Sequence, residues 1–195
     1  MRFDRLDIPT MRRCGWIKEA QCGCTEKGLE WKFTDSRSLC AQLLKDNVLT
    51  YPIENFGRFN QDSRFVTFSI ALALYDAGIA YGKDKKQDIG VLGMSPDGAF
   101  ASNLTYFKDY VEAGRKLGRG NLFIYTLPSS PLAEAAIHFG LQGPLLYIRP
   151  IRNSRESLLS QTELMLRNNE AQAMLAVFWD ANEAECYCIL GARSL

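Results

Sequence analysis

Residues 122–152 read LFIYTLPSSPLAEAAIHFGLQGPLLYIRPIR. The apolar run Leu122 to Leu127 predicts a buried strand. Pro128-Ser129-Ser130-Pro131 predicts a turn, and Leu132 to Phe139 a short helix, with Pro131 at its start and Gly140 just past its end. Gly143-Pro144 then turns the chain into a second apolar strand, Leu145 to Ile148.

Upstream, Asp62 to Ala77 predicts a helix with Asp62 as N-cap and Gly78 just beyond its end. Phe65, Val66, Phe68, Ile70, Leu72 and Leu74 make it apolar almost all round, the mark of a buried helix. Asp88 to Met94 reads as a strand, and Ser95-Pro96-Asp97-Gly98 as the turn after it. Phe100, Leu104, Phe107 and Val111 then recur on one helix face. The glycines at 90, 93 and 98 lack the spacing and the Lys-Ser/Thr ending of a phosphate-binding loop, so they read as a structural turn. Gly114 to Gly120 reads as a solvated loop; its Arg115, Lys116 and Arg119 are a candidate contact for an acidic partner.

Downstream, Asn153-Ser154 can cap a helix over Arg155 to Asn168, whose stripe is Leu158, Leu159, Thr162, Met165 and Leu166. Ala173 to Phe178 and Ala184 to Leu190 predict a closing hairpin around Asp180 to Glu183. Residues 1–50 are less patterned. Gly15-Trp16-Ile17 and Glu30-Trp31-Lys32-Phe33 suggest short strands, and Thr34 to Ser38 a helix start before Leu39, Leu43 and Leu44.

Bulk properties exclude several classes. A net charge of +1 does not suggest a nucleic-acid binder. No apolar run reaches the roughly 18–20 residues of a membrane span, and the N-terminus has no secretory h-region, so a cytoplasmic protein is expected. The six cysteines, 14, 22, 24, 40, 186 and 188, do not complete a zinc set and read as reduced, small apolar residues, with no metal or cofactor implied.

Three of these segments resemble the β-ketoacyl synthases of the thiolase superfamily, in the order those enzymes use. GRFNQDSRFVTFSIALALYDAGI is similar to the family's central helix, the strand at Ile89-Gly90-Val91 to its next strand, and TLPSSPLAEAAIHFGLQGP to the segment leading to its nucleophile. The resemblance implies an α/β fold: a thiolase-like half, with a central mixed sheet flanked by helices on both sides. It implies one N-terminal-like domain over residues 1–195, clearest from 57 to 191.

The resemblance also implies where the chemistry would sit. In the family, the strand after Gly-Pro runs into a tight turn carrying the catalytic cysteine at the head of a buried helix. Counting from Gly143-Pro144 reaches Arg152, and no cysteine lies between Cys40 and Cys186. An arginine cannot form a thioester. The family's catalytic histidines belong to the second thiolase half, whereas this chain matches the first. Its single histidine, His138, precedes Gly-Leu-Gln-Gly-Pro and reads as structural.

The expectation is a truncated, non-catalytic ketosynthase-like accessory protein of a fatty acid, polyketide or aryl-polyene-type pathway. It would act as a homodimer, or as a heterodimer with an active ketosynthase, with an acyl carrier protein as a further partner. The family pairs the strand before the nucleophile across a two-fold axis, which here implicates Leu145, Leu146, Tyr147 and Ile148. The alternative is a protein binding an acyl-CoA or carrier-derived ligand in a remnant acyl pocket, with Arg149 or Arg152 meeting its carboxylate or phosphate. A third reading is an enzyme that uses Glu134 and His138, four apart on one helix.

Overall fold

The computed structural model describes residues 13–116, 118–149 and 155–191. Strands β1 (Arg13–Lys18), β2 (Gln21–Cys24) and β3 (Leu29–Lys32) form an antiparallel meander. Helices α1 (Ser36–Lys45) and α2 (Gln61–Asp76) follow, then β4 (Ile89–Met94). Helices α3 (Phe100–Glu112), α4 (Gly120–Phe123) and α5 (Ser130–Phe139) lead to β5 (Leu145–Ile148). Helix α6 (Arg155–Arg167) precedes the hairpin of β6 (Ala173–Trp179) and β7 (Glu183–Leu190). The seven strands form one sheet in the order β3-β2-β1-β7-β6-β4-β5. The pairs β6–β4 and β4–β5 are parallel and the others antiparallel, so the sheet is mixed.

Two cores follow from the period-2 alternation of β6. Leu175, Val177 and Trp179 join α1, α2 and α5 on one face. Met174, Ala176 and Phe178 meet Leu158, Leu159 and Met165 of α6 on the other. The expected fold class is therefore what the chain adopts: a central mixed sheet with helices on both sides.

Helix α2 is buried nearly all round, from Phe65 to Leu74. It lies on a floor of small residues. Gly15 stands between Cys24 and Cys186 across three strands, with the pair Ile17 and Cys22 beside them. A Cβ at Gly15 would fall 2.3 Å from Ser69 O and 2.4 Å from Ala73 N, so only glycine admits the α2 backbone there. Cys22, Cys186 and Cys188 therefore pack as small apolar residues in the core that α2 covers.

Several sequence expectations shift. The run Leu122 to Leu127 is not a strand: it completes α4 and makes a 3₁₀ turn, Ile124–Thr126. Its N–H groups bond locally, those of Leu122 and Phe123 to Arg119 O, and Tyr125 is its one buried side chain. Asn60, not Asp62, caps α2, its side chain accepting from Ser63 N at 2.9 Å. The Cys22-Gly23-Cys24 segment, which carries no alternation, is a strand. The face of Phe100, Leu104, Phe107 and Val111 is helical as expected, but all four are exposed and α3 has no buried residue. Helix α5 ends as predicted, with Gly140 at φ 67°.

Replacing Gly15 with Ala forces α2 away from β1 and lowers stability by about 2 kcal/mol or more. Gly57→Ala, where an added Cβ meets nothing within 4 Å, stays within about 0.5 kcal/mol of the parent. Urea midpoints of the two variants check the contrast.

Candidate functional site

In a sheet with parallel strands, ligands gather outside the strands' carboxyl ends. Here those ends are Met94, Ile148 and Trp179. The Tyr147 hydroxyl donates to Ser95 O at 2.9 Å, and its ring lies 5.9 Å from Trp179. Burial raises the Tyr147 pKa, so the phenol remains a neutral donor. Gly93 sits beneath Leu132 and Trp179, which close this end of the sheet. Among the described residues, Leu132, Tyr147 and Trp179 fill this part of the rim.

Leu145, Leu146, Tyr147 and Ile148 form β5, the outermost strand, bonded to β4 on one side. Arg149 follows it in an exposed position. Arg152, and with it the position matched to the family nucleophile, lies outside the described residues. Beyond that segment, α6 begins at a tethered residue. Arg155 pairs with Glu183, bonds Glu185 Oε2 at 3.1 Å, and lies 4.6 Å over the Phe178 ring. Tyr187 donates to the same Glu185 carboxylate at 2.8 Å. The head of α6 is thus clamped to the β6–β7 hairpin, a role that no motif announced.

Glu134 and His138 share α5 but not an environment. Glu134 Oε1 is 3.4 Å from Arg58 Nη2 and 3.3 Å from the Tyr125 hydroxyl. His138 is 9% exposed and packs against Tyr51 and Phe139, at ring distances of 4.5 and 4.7 Å. Its Nε2 is buried without a hydrogen-bond partner. Desolvation lowers its pKa to about 4 against a smaller opposing pull from Glu54, so it is neutral near pH 7, and among the described residues no carboxylate is hydrogen-bonded to it to orient it as a base. Ser130, the first residue of α5, donates to the Ile124 carbonyl.

The described thiols are equally quiet. Burial pushes the pKa of Cys14, Cys22 and Cys188 to about 12 and that of Cys24 to about 11. Cys186 is raised well above the ordinary value by the same cause. Such thiols are poor nucleophiles.

A small cavity of about 210 Å³ opens between the start of α2, α3 and Tyr125. Asn60, Gln61 and Asp62 line one wall, and Ala101, Ser102 and Thr105 another. Burial, then the nearby Asp97 and Asp180 carboxylates, raise the Asp62 pKa to about 6. Asp62 is the one carboxylate among its lining residues and no cation lines it, the volume is below the roughly 300 Å³ of ordinary ligand sites, and Arg149 is not among its lining residues.

His138 also makes a pH prediction. Its folded pKa lies below the unfolded value, so its contribution to stability is full above pH 6.5 and is lost as pH falls toward 4. Asp62 runs the other way, being raised from 3.8 to about 6, so the comparison must be between variants. His138→Phe should gain on the order of 3 kcal/mol relative to the parent between pH 7 and pH 4. Parallel denaturation profiles would show that burying the imidazole costs nothing on protonation.

No protein-family model matches the chain, and no curated protein matches it. Solved structures do. The ishigamide ketosynthase/chain length factor superposes with a TM-score of 0.63 at 10% identity, covering 95% of this chain and 63% of that one. A type II polyketide synthase complex, an acyl-carrier protein with its ketosynthase bound to the hexaketide, gives 0.61 at 10% identity over 94% and 58%. A ketosynthase in complex with its chain length factor, from Xenorhabdus doucetiae, gives 0.51 at 13% identity over 74% and 63%. The chain therefore spans less than two thirds of each of these proteins. At such identities the likeness is one of architecture, and the fold is the thiolase-like α/β fold of ketosynthases and chain length factors.

Proposed function

We propose that this chain is a non-catalytic β-ketoacyl synthase-like accessory protein of a cytoplasmic pathway that builds a fatty acid, polyketide or aryl-polyene-type acyl chain. Residues 1–195 act as one unit resembling the N-terminal part of a ketosynthase. The carrying observation is the coincidence of a ketosynthase-like scaffold with an arginine, Arg152, at the position counted from Gly143-Pro144. Acyl transfer in that family needs a thiolate, with imidazoles assisting decarboxylation. Here the sequence places no cysteine between Cys40 and Cys186, and the one imidazole is a buried, neutral packing group.

The partner reading rests on β5. It is an edge strand only four residues long, with Leu146 exposed, and among the described residues no strand pairs with its outer side. Pairing with a ketosynthase or with its own copy would cover it. Neighbouring folds whose solved forms are a ketosynthase with a chain length factor or with an acyl carrier protein support that kind of partner. For carrier docking, Arg115 and Lys116 are the candidate cations, because Arg119 already bonds Asp109 at 3.1 Å. The ligand-binding alternative is the weaker reading: Arg149 is exposed, and the cavity beside α2 and α3 is small and lined by a carboxylate but no cation.

Native mass, measured for the chain alone and co-expressed with a ketosynthase, tests the proposal. The expected result is a stable mixed complex, or a self-dimer, that Leu146→Asp dissociates. Incubation with an acyl thioester should leave the chain's mass unchanged; a covalent acyl adduct would overturn the non-catalytic reading.

A further inference from the structure

Helix α3 lies over the small cavity at the start of α2, and little holds it there. Ala101, Ser102 and Thr105 line that cavity from α3, and Asn60, Gln61 and Asp62 line it from the start of α2. The helix has no buried residue, and its N-cap, Ala99, makes no side-chain bond. Its fastenings are unequal. Along α4 and the 3₁₀ turn it is well tied: Asp109 pairs with Arg119 at 3.1 Å, the Asn103 side chain donates to Thr126 O at 3.3 Å, and Tyr106 meets Phe123 at 5.5 Å. Toward α2, among the described residues, one hydrogen bond holds it, from Asn60 Nδ2 to Ser102 Oγ at 3.0 Å. Gly98 at φ 56° and Gly114 at φ 68° bracket the helix, in a conformation that glycine adopts without strain. A helix fastened along one side, latched on the other and bracketed by glycines can swing as a unit.

We propose that α3 is a lid on this cavity, hinged along α4 and latched at Ser102, and that the Asp62 carboxylate, when charged, pushes it open. Asp62 lines the cavity two residues beyond the latch residue Asn60. The charges that act on it share its sign: Asp97, in the turn at the base of α3, and Asp180, in the turn between β6 and β7. Among the described residues no cation lines the cavity. Its other titratable lining group, Tyr125, is neutral, because burial and the Glu134 carboxylate raise its pKa to about 12; Arg58 is already paired with Glu134. A carboxylate in the first turn of a helix ordinarily gains from the dipole. Here burial, then Asp97 and Asp180, outweigh that gain and raise Asp62 from 3.8 to about 6. Closing the lid takes Asp62 out of water and sets Asp97 against it, so the closed form holds the proton more tightly. Linkage then requires that protonation favour closure, beginning as pH falls through about 6 and complete near the ordinary carboxylate value. Access to the cavity is thereby gated by pH. The inference does not depend on the accessory function.

Amide hydrogen exchange of the full chain tests the lid, read by mass spectrometry on peptides spanning α3 and corrected for intrinsic exchange rates. Protection of α3 should rise roughly tenfold between about pH 7.5 and about pH 5. Asp62→Asn should raise α3 protection at the higher pH and flatten the profile. Ser102→Ala, which removes the latch from the α3 side and leaves the Asn60 cap of α2 in place, should lower α3 protection at both pH values. In the parent, α3 should exchange by a local opening that is insensitive to low denaturant, whereas β6 exchanges only by global unfolding. A flat parent profile overturns the proposal, as does an Asp62→Asn chain whose α3 exchanges like the parent's. Unchanged α3 protection in Ser102→Ala removes the latch and with it the lid. Exchange of α3 only together with β6, at the same rate and with the same denaturant dependence, also overturns it, because α3 then does not move by itself.

Discussion

Helix α2 has almost no solvent face, and the structure around it is arranged to satisfy what it buries. Two of its hydroxyls turn back on its own backbone: Thr67 donates to Ser63 O at 2.6 Å and Ser69 to Val66 O at 3.0 Å, whereas the buried Ser63 Oγ has no partner among the described residues. Its last residue, Asp76, is a harder case. A carboxylate at a helix C-terminus faces the wrong end of the dipole, and this one is 5% exposed. It is compensated from outside the helix: Cys14 N, Glu26 N, Lys27 N and the Thr25 hydroxyl all donate to it, at 2.9 to 3.3 Å. Arg13 adds a bond to Ala77 O at 2.7 Å. One side chain thus ties the β2–β3 turn and β1 to the central helix, and the Gly15 contact fixes how closely they approach.

Much of this was legible because hydrophobic period and punctuation agree along most of the chain. Strands β4 to β7, the all-round apolar α2 and the Pro-to-Gly bounds of α5 fall within a few residues of where pattern places them. Failures came where pattern is degenerate. An apolar run of six beside a proline fits a strand or a helical turn equally, and at Leu122 local bonding to Arg119 O decided it. Strand β2 was hidden because Cys and Gly carry little propensity; its pairing with β1 and β3 makes it a strand. Helix period gave the α3 stripe correctly but not its exposure, since period reports a face and not what covers it.

The site shows the same division. The scaffold residues are motif-borne, whereas the contacts that hold them, Arg155 to Glu183 and Glu185, join positions 28 and 30 apart with no local signature. Polar groups at this end of the fold serve packing: Tyr147 closes onto Ser95, and Arg155 lies over Phe178.

The sheet order also governs when the molecule can assemble. Strand β1, at residues 13–18, finds its ladder partner in β7, at residues 183–188, close to the end of the described chain. On a ribosome the N-terminal meander therefore emerges long before the strand that joins it to the rest of the sheet. Until β7 arrives, β1 presents an open apolar edge and α2 lacks much of its cover. Completion of the sheet therefore waits for β7, and the nascent chain passes through a state in which long-range pairing is still to come.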